Sequence, residues 1–392
     1  MKIAVVGTKG LPVKQGGIER YCAELYPSLV AQGHSIDLYA RSSYTNTPWF
    51  SYSDFNGVRV ISIPSPEIKG LEAFINCAIA LIVCIYKGYD IIHFHALGPA
   101  LFSRLAQIFS SAKIVVTCQG LDWQRAKWNK LFSSVIRQGE KIAARHADEI
   151  VVVSKVLHSY FLETYGRDTL YIPNGPGRYP DSDPKFSYGK SLGLEQGRYV
   201  IFLGRLVPEK NPDLLLRAFN QLKPEGWKLV IAGGASDAPK YMPVLQRLAS
   251  ENKNVLLVGE LHGSRLAEIV RGSGLFVLPS DLEGLPLVML EAMLEGIPVL
   301  GSNIPPHQQL LSDGRGLMFK AGDLDSCVQG LEEAISQPVE LAQRAKEAQM
   351  YVEEHYNWEK ITAENLKLYK KLCNLPEEVK TVEEVRNPVI AK

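Results

Sequence analysis

Short β-branched and apolar runs alternate with helical patterns along most of this chain, and the alternation occurs twice. Strands are expected at Ile3–Val6, Ile36–Tyr39, Val58–Ile63, Ile91–Phe94, Ile114–Thr117 and Ile150–Val153. After Pro173 a loop rich in Gly, Pro, Asp and Ser runs to about Gly197. The pattern then restarts at Tyr199–Leu203, Lys228–Ala232, Val255–Val258, Leu275–Leu278 and Pro298–Leu300. Strands that are apolar on both faces and separated by helices belong to parallel sheets covered on both sides. Two such runs joined by a loop predict an α/β chain of two doubly wound domains, with ligands beyond the carboxyl ends of the strands.

The length, 392 residues, suits two cores better than one. The expected domains are 1–180 and 190–355. An amphipathic helix from Trp358 to about Leu372 can pack on either, and the charged tail 375–392 is expected to be loose. A net charge of +1 gives no reason to expect nucleic acid as a partner. The six cysteines are scattered without a C-x-x-C pair, which suits a reduced, cytoplasmic protein and argues against a zinc site. The apolar run at the N-terminus is too short for a signal peptide. The stretch Phe74 to Tyr86 contains Asn76 and is shorter than the ~20 residues of a spanning helix, so a buried helix is expected.

Two carboxylates stand out. Glu283 lies in a Gly/Pro turn after the strand at Leu275–Leu278, and Glu291 follows two turns into an apolar helix, in E-G-L-P-L-V-M-L-E. An acid at a helix mouth with a second behind it fits binding of sugar hydroxyls, or a general acid and base, or simply a helix-dipole partner and an incidental Glu. The loop Thr8 to Arg20 carries Gly16 and Gly17 just before a helix, where backbone N–H groups can approach an anion, or where glycine only permits a turn. It is not G-x-G-x-x-G, so a nicotinamide fingerprint is absent. The corresponding loop of the second half, G-R-L-V-P-E-K-N, places Arg205 and Lys210 where a diphosphate would sit, unless they are solvated surface cations. His93 and His95 end a strand and read as a metal pair, core histidines or substrate contacts; no carboxylate follows at ligand spacing. After another strand, Q-G-L-D-W-Q-R-A-K-W sets Gln119, Asp122, Trp123 and Arg125 just past a strand end, where such folds bind ligands. Trp123 and Trp128, interleaved with Arg125 and Lys127, can stack on a sugar or touch lipid headgroups, or form a solvated helix face.

Taken in order, G-G-I-E-R, H-F-H, V-S-K, I-P-N-G, G-R-L-V-P-E-K and P-S-D-L-E-G-L-P-L-V-M-L-E-A-M span nearly the whole chain. This ensemble resembles the retaining glycosyltransferases of family 4, which have the GT-B fold of two facing Rossmann-like domains and an E-x7-E motif. The opening G-T-K-G-L-P also resembles bacterial rhamnosyltransferase-like enzymes. The resemblance implies that Arg205 and Lys210 bind the donor's diphosphate and that Glu291 holds the ribose. It implies that Glu283 contacts the donor sugar, with the backbone of Gly284, Leu285 and Leu287 close to sugar and phosphate. Gly16 and Gly17 would close on the diphosphate, His95 would sit beside the sugar, and the C-terminal helix, about 358–374, would cross onto the first domain. Many relatives carry histidine where this chain has Gln119, a side chain that cannot shuttle a proton.

The implied reaction moves a sugar from a UDP-, dTDP- or GDP-linked donor to a glycan or polyprenol-linked acceptor in surface polysaccharide synthesis. It needs neither cofactor nor metal, and it takes place in the cytoplasm with peripheral contact at the inner face of the membrane. The competing readings are a nucleotide-sugar epimerase or phosphorylase on the same fold, a glycoside hydrolase using both glutamates, and a non-catalytic nucleotide-sugar or glycan-binding module.

Overall fold

The computed structural model describes residues 1–14, 16–66, 71–124, 130–234, 238 and 240–376. Two sheets form, one in each half. The first half contributes β1 (Lys2–Val6), β2 (Ser35–Arg41), β3 (Tyr52–Phe55), β4 (Val58–Ile63), β5 (Ile91–His95), β6 (Lys113–Cys118), β7 (Glu149–Val152) and β8 (Leu170–Tyr171). The second contributes β9 (Tyr199–Leu203), β10 (Lys228–Ala232), β11 (Val255–Gly259), β12 (Leu275–Leu278), β13 (Val299–Ser302) and β14 (Leu317–Phe319). Their orders are β3-β4-β2-β1-β5-β6-β7-β8 and β11-β10-β9-β12-β13-β14. All pairs are parallel except β3 with β4.

In both sheets the winding reverses beside the first strand of that half, between β1 and β5 and between β9 and β12. A crevice opens at such a reversal, because successive connections leave to opposite faces. Alternation along β1 shows how the faces are covered. Ile3 and Val5 pack with the Gly17–Ala31 and Trp358–Leu372 helices, while Ala4 and Val6 pack with the Leu71–Lys87 and Lys130–His146 helices.

The continuous apolar strands fall where the sequence pattern puts them. Three further strands appear: β3 is exposed and polar, β8 has two residues, and β14 has three. None offers the apolar run that marks a covered central strand. The helix at Leu71–Lys87 departs from the expectation of full burial. It buries Asn76, Cys77, Ala80, Leu81 and Cys84, one stripe at helical spacing, and leaves Phe74, Ile82 and Tyr86 exposed. Among the described residues no helix is long and apolar enough to cross a membrane.

The Trp358–Leu372 helix, N-capped by Asn357, docks on the first half. The Tyr21 hydroxyl donates to Asn365 at 3.1 Å, and the Tyr369 hydroxyl lies 2.7 Å from His93 Nδ1. Residues 377–392, most of the tail expected to be loose, lie outside the described residues.

Candidate active site at the facing strand ends

The loop after β9 carries Arg205, tightens into a single 3-10 turn at Pro208–Lys210, and passes through Asn211 at φ 49° into the Pro212–Leu222 helix. The loop after β12 carries Ser280 and Glu283 into the Leu287–Leu294 helix. The fold thereby sets both loops side by side at the sheet reversal. The Lys210 ammonium pairs with Glu283 Oε1, and the Ser280 hydroxyl donates to the same oxygen at 2.8 Å. Burial, the largest influence, pushes the Glu283 carboxyl up, but the Lys210 charge, His307 and the hydrogen bonds from Lys210 and Ser280 together outweigh it and hold the group below the usual glutamate range. His307 lies within electrostatic reach and is itself fully buried, which pushes its pKa down to about 4 and leaves it neutral. A small cavity of about 70 Å³ opens here, lined by Arg205, Glu209, Lys210, Leu282, Glu283 and Gly284 of the second half and Gly120 and Leu121 of the first.

Glu291 sits one helical layer deeper, 5% exposed. Its Oε1 is ion-paired with Arg20 Nη1 at 3.2 Å and accepts from the Gly177 amide at 3.3 Å, and its Oε2 accepts from the Tyr179 hydroxyl at 3.0 Å. Burial raises its pKa above the usual glutamate value, and Arg20, Tyr179 and Gly177 only partly offset this. The two acids of the spaced pair therefore occupy different environments. Glu283 lines the cavity beside a cation of its own half, and Glu291 is gripped by groups from outside that half.

In the first half, Gly16 at φ 109° precedes the helix that begins at Gly17, and Glu19 folds back to accept from the Lys9 amide at 2.8 Å. A Cβ on Gly16 would lie 2.1 Å from Glu19 Oε2, and one on Gly17 would lie 3.2 Å from Leu287 Cδ1. Glycine here permits both the turn and the approach of the second half. Gln119 receives the Asn174 amide at 2.5 Å, and its carbonyl oxygen would lie 2.1 Å from a Cβ on Gly284. The two halves thus meet backbone to backbone at the cavity's edge. Leu285 is buried behind it.

His95 is not on the cavity wall. It is fully buried, bonded through Nε2 to the Tyr26 hydroxyl at 2.7 Å and stacked on His93 with centroids 4.3 Å apart. Period-two alternation puts both rings on the face of β5 covered by the Gly17–Ala31 and Trp358–Leu372 helices, which supply Tyr26 and Tyr369. The Trp123 indole N–H donates to Glu140 at 2.8 Å and the Arg137 guanidinium covers its ring at 4.9 Å. Asp122 starts the same short turn, whereas Arg125, Lys127 and Trp128 lie outside the described residues. Tyr179, Gly177 and His307, and the pairing of Arg20 with Glu291, are not legible in the sequence; Arg20, Glu209, Ser280 and Asn174 lie within the motif runs but carry no local signal of their partners. Among the described residues no three His, Cys, Asp or Glu side chains are grouped to hold a metal ion.

Residues 15–176 match the model of Glycosyltransferase Family 4, and residues 186–350 match that of Glycosyl transferases group 1. The chain belongs to the group 1/family 4 glycosyltransferases. Among curated members, a GDP-mannose-dependent monoacylated alpha-(1-6)-phosphatidylinositol monomannoside mannosyltransferase of Corynebacterium glutamicum is 24% identical, over 91% of this chain and 94% of that protein. An Escherichia coli UDP-Gal:alpha-D-GlcNAc-diphosphoundecaprenol alpha-1,3-galactosyltransferase is 26% identical, over 84% and 87%. Among solved structures, sucrose-phosphate synthase from Thermosynechococcus elongatus superposes with a TM-score of 0.81 at 23% identity, over 95% of this chain and 98% of that one. Anabaena HepE in complex with UDP-glucose superposes at 0.78 and 18% identity, over 95% and 100%. These likenesses establish the GT-B fold for this glycosyltransferase.

Proposed function

We propose that this glycosyltransferase takes a nucleoside-diphosphate sugar as donor and transfers the sugar with retention to a glycan or polyprenol-linked acceptor. The reading places it in surface polysaccharide synthesis on the cytoplasmic side of the membrane, with no metal or other cofactor. The observation that carries it is the Lys210–Glu283 pair beside Arg205, in a cavity that both halves line. Breaking the bond between the sugar's anomeric carbon and the phosphate oxygen leaves negative charge on the diphosphate. Arg205 and Lys210 are fixed positive groups for that charge. Lysine has three donors, so Lys210 can serve Glu283 and a phosphate together. Glu283, held ionised, accepts from a sugar hydroxyl, and Glu291 holds the nucleotide's ribose. The acceptor oxygen bonds to the anomeric carbon on the face that the diphosphate leaves, and the departing phosphate oxygen takes the acceptor's proton. Contact between the halves excludes water and limits hydrolysis. The names of the relatives lend support: the Corynebacterium enzyme depends on GDP-mannose, and the Escherichia coli enzyme uses UDP-Gal with a diphosphoundecaprenol-linked acceptor.

A thermal-shift screen identifies the donor, because a saturating ligand raises stability by RT ln(1 + [L]/Kd). With that donor, nucleoside diphosphate should be released only when acceptor is present, EDTA should leave the rate unchanged, and product NMR should show a retained anomeric configuration. Wild-type turnover in both Lys210→Ala and Glu283→Ala would sink the assignment of the site.

A further inference from the structure

The Lys130–His146 helix buries Ile136, Gly139, Glu140, Ala143 and Ala144 against the rest of the first half. It lies close in, since a Cβ on Gly139 would sit 2.1 Å from the Leu97 carbonyl oxygen. Beside that buried stripe, the spacing 130, 133/134, 137 brings Lys130, Ser133, Ser134 and Arg137 to one face. These four line a second cavity, of about 320 Å³, with Trp123 as the remaining wall. Leu121, which lines the cavity beside Glu283, is two residues from Trp123, at most about 7 Å along the chain. The two cavities differ in charge. Among the described residues no carboxylate lines the second, and neither Lys130 nor Arg137 is paired with one. The nearby acid, Glu140, is fully buried and accepts from the Trp123 indole at 2.8 Å and from the Tyr160 hydroxyl at 2.7 Å. Arg137 is braced over the Trp123 ring at 4.9 Å, and the two serine hydroxyls have no partner among the described residues.

The cavity therefore offers two positive charges, a guanidinium fork, an ammonium and two hydroxyl donors, all unspent on acids. That set recognises an anion rich in acceptor oxygens. Size narrows the class. Lys130 and Arg137 stand two turns apart, about 10 Å along the helix axis. A single carboxylate is small for cations so spaced, whereas the oxygens of a diphosphate spread over two phosphorus centres. We propose that this cavity holds a diphosphate carried by the acceptor, so that the substrate class is a diphosphate-linked sugar whose hydroxyl reaches the first cavity past Leu121. This rests on the reading of Arg205 and Lys210 as the donor's seat. Lys130 and Arg137 then act on acceptor affinity and not on the donor, from a helix that contributes nothing to the first cavity.

The test is calorimetric titration of the full chain with inorganic pyrophosphate, alone and with saturating UDP or GDP filling the seat at Arg205 and Lys210. Wild type should still take up one pyrophosphate with the nucleotide in place. Lys130→Ala combined with Arg137→Ala should weaken that binding by about tenfold or more and leave nucleotide affinity unchanged. Both side chains are exposed, so the double variant keeps the fold. Loss of all pyrophosphate uptake once nucleotide is bound, or unchanged pyrophosphate affinity in the double variant, overturns the proposal. So does malonate binding as tightly as pyrophosphate, which would make this a carboxylate site. If the double variant instead loses flotation with phosphatidylglycerol vesicles while its pyrophosphate affinity holds, the cations serve a lipid surface and the proposal falls. The donor reading fails separately, if neither UDP nor GDP binds or if Lys210→Ala leaves their affinity unchanged. In that case pyrophosphate alone, compared between wild type and the double variant, still decides the second cavity.

Discussion

The two halves share a winding, yet they use the loop after their first strand in opposite ways. In the second half that loop brings Arg205 and Lys210 to the cavity, and the neighbouring loop answers with Glu283. In the first half the equivalent loop is tied to itself through Glu19 and to Tyr44 through the Lys14 amide, and it presents glycine backbone instead. The polar groups of the first half lie deeper, where His93, His95, Tyr26, Thr117 and Tyr369 form a buried network. Their surfaces differ too. Phe74, Ile82 and Tyr86 on one helix, and Leu105, Ile108 and Phe109 on the neighbouring one, are exposed in the first half. Among the described residues after 190, only Met318, Val339, Met350 and Leu375 are comparably exposed large apolar side chains. One architecture thus presents two surfaces to the cavity: charged side chains from one half, and glycine backbone, with an apolar outer face behind it, from the other.

The most direct way to break this division is to remove charge. Lys210→Ala should lower turnover by about 10²–10³-fold, the usual cost of a donor aimed at developing charge. Lys14→Ala, in the matching loop of the first half, should change it little. Equal losses in the two variants would erase the distinction.

Steric opening of the contact between the halves comes next. In Gly284→Ala the new methyl meets the Gln119 carbonyl, a clash costing about 1–3 kcal/mol that can be relieved only by parting the halves. Small-angle scattering should show a larger radius of gyration, and turnover should fall with little change in the melting of either half. Unchanged scattering and turnover would mean that this contact does not matter for closure.

The paired glutamates separate by pH. Glu283 has a folded pKa below its unfolded value, so its contribution to stability is present above the unfolded pKa and is lost as pH falls through the depressed folded value. Glu291 has the opposite sign: its folded pKa is raised, so its ionisation opposes folding, and that cost disappears as pH falls from the raised value to the ordinary one. On acidification, nucleotide affinity should therefore weaken first, as Glu291 takes a proton, while the Lys210–Glu283 pair persists to lower pH. Titration of UDP or GDP across this range, beside the melting temperature, would reveal the order; simultaneous loss would contradict it.

The smallest effect concerns the surface. We propose that the apolar helices of the first half rest on a membrane. Ile108→Ser with Phe109→Ser should reduce flotation with anionic vesicles at low salt, while Val339→Ser with Met350→Ser in the second half should not. Failure of the wild-type protein to float would remove the idea.

The sequence made the central strands legible because burial on both faces leaves an unbroken apolar run. It also put Arg205, Lys210 and Glu283 together, since each stands just past a strand end at a sheet reversal. Other features could not be read this way. Arg20 and Tyr179 reach Glu291 only once the halves are juxtaposed, and no local spacing encodes that meeting. His93 and His95 could be placed on a common face of β5 from their spacing, but both faces are covered, and which helices meet a given face is not written in the local sequence. Trp123 sits in a basic, aromatic segment that suggested an exposed contact, yet Glu140, itself buried, takes its indole N–H.

The Trp358–Leu372 helix has a consequence for how the protein is made. Ile361, Leu368 and Tyr369 complete a core that begins with Ile3 and Val5. On the ribosome, the half synthesised first must wait for the Trp358–Leu372 helix, made after the second half, before its interior closes. During that interval Tyr26 and His93 lack Tyr369, and the unfinished face is open to chaperones or to a neighbouring nascent chain. Synthesis from the N-terminus therefore completes the interior of the second half before that of the first.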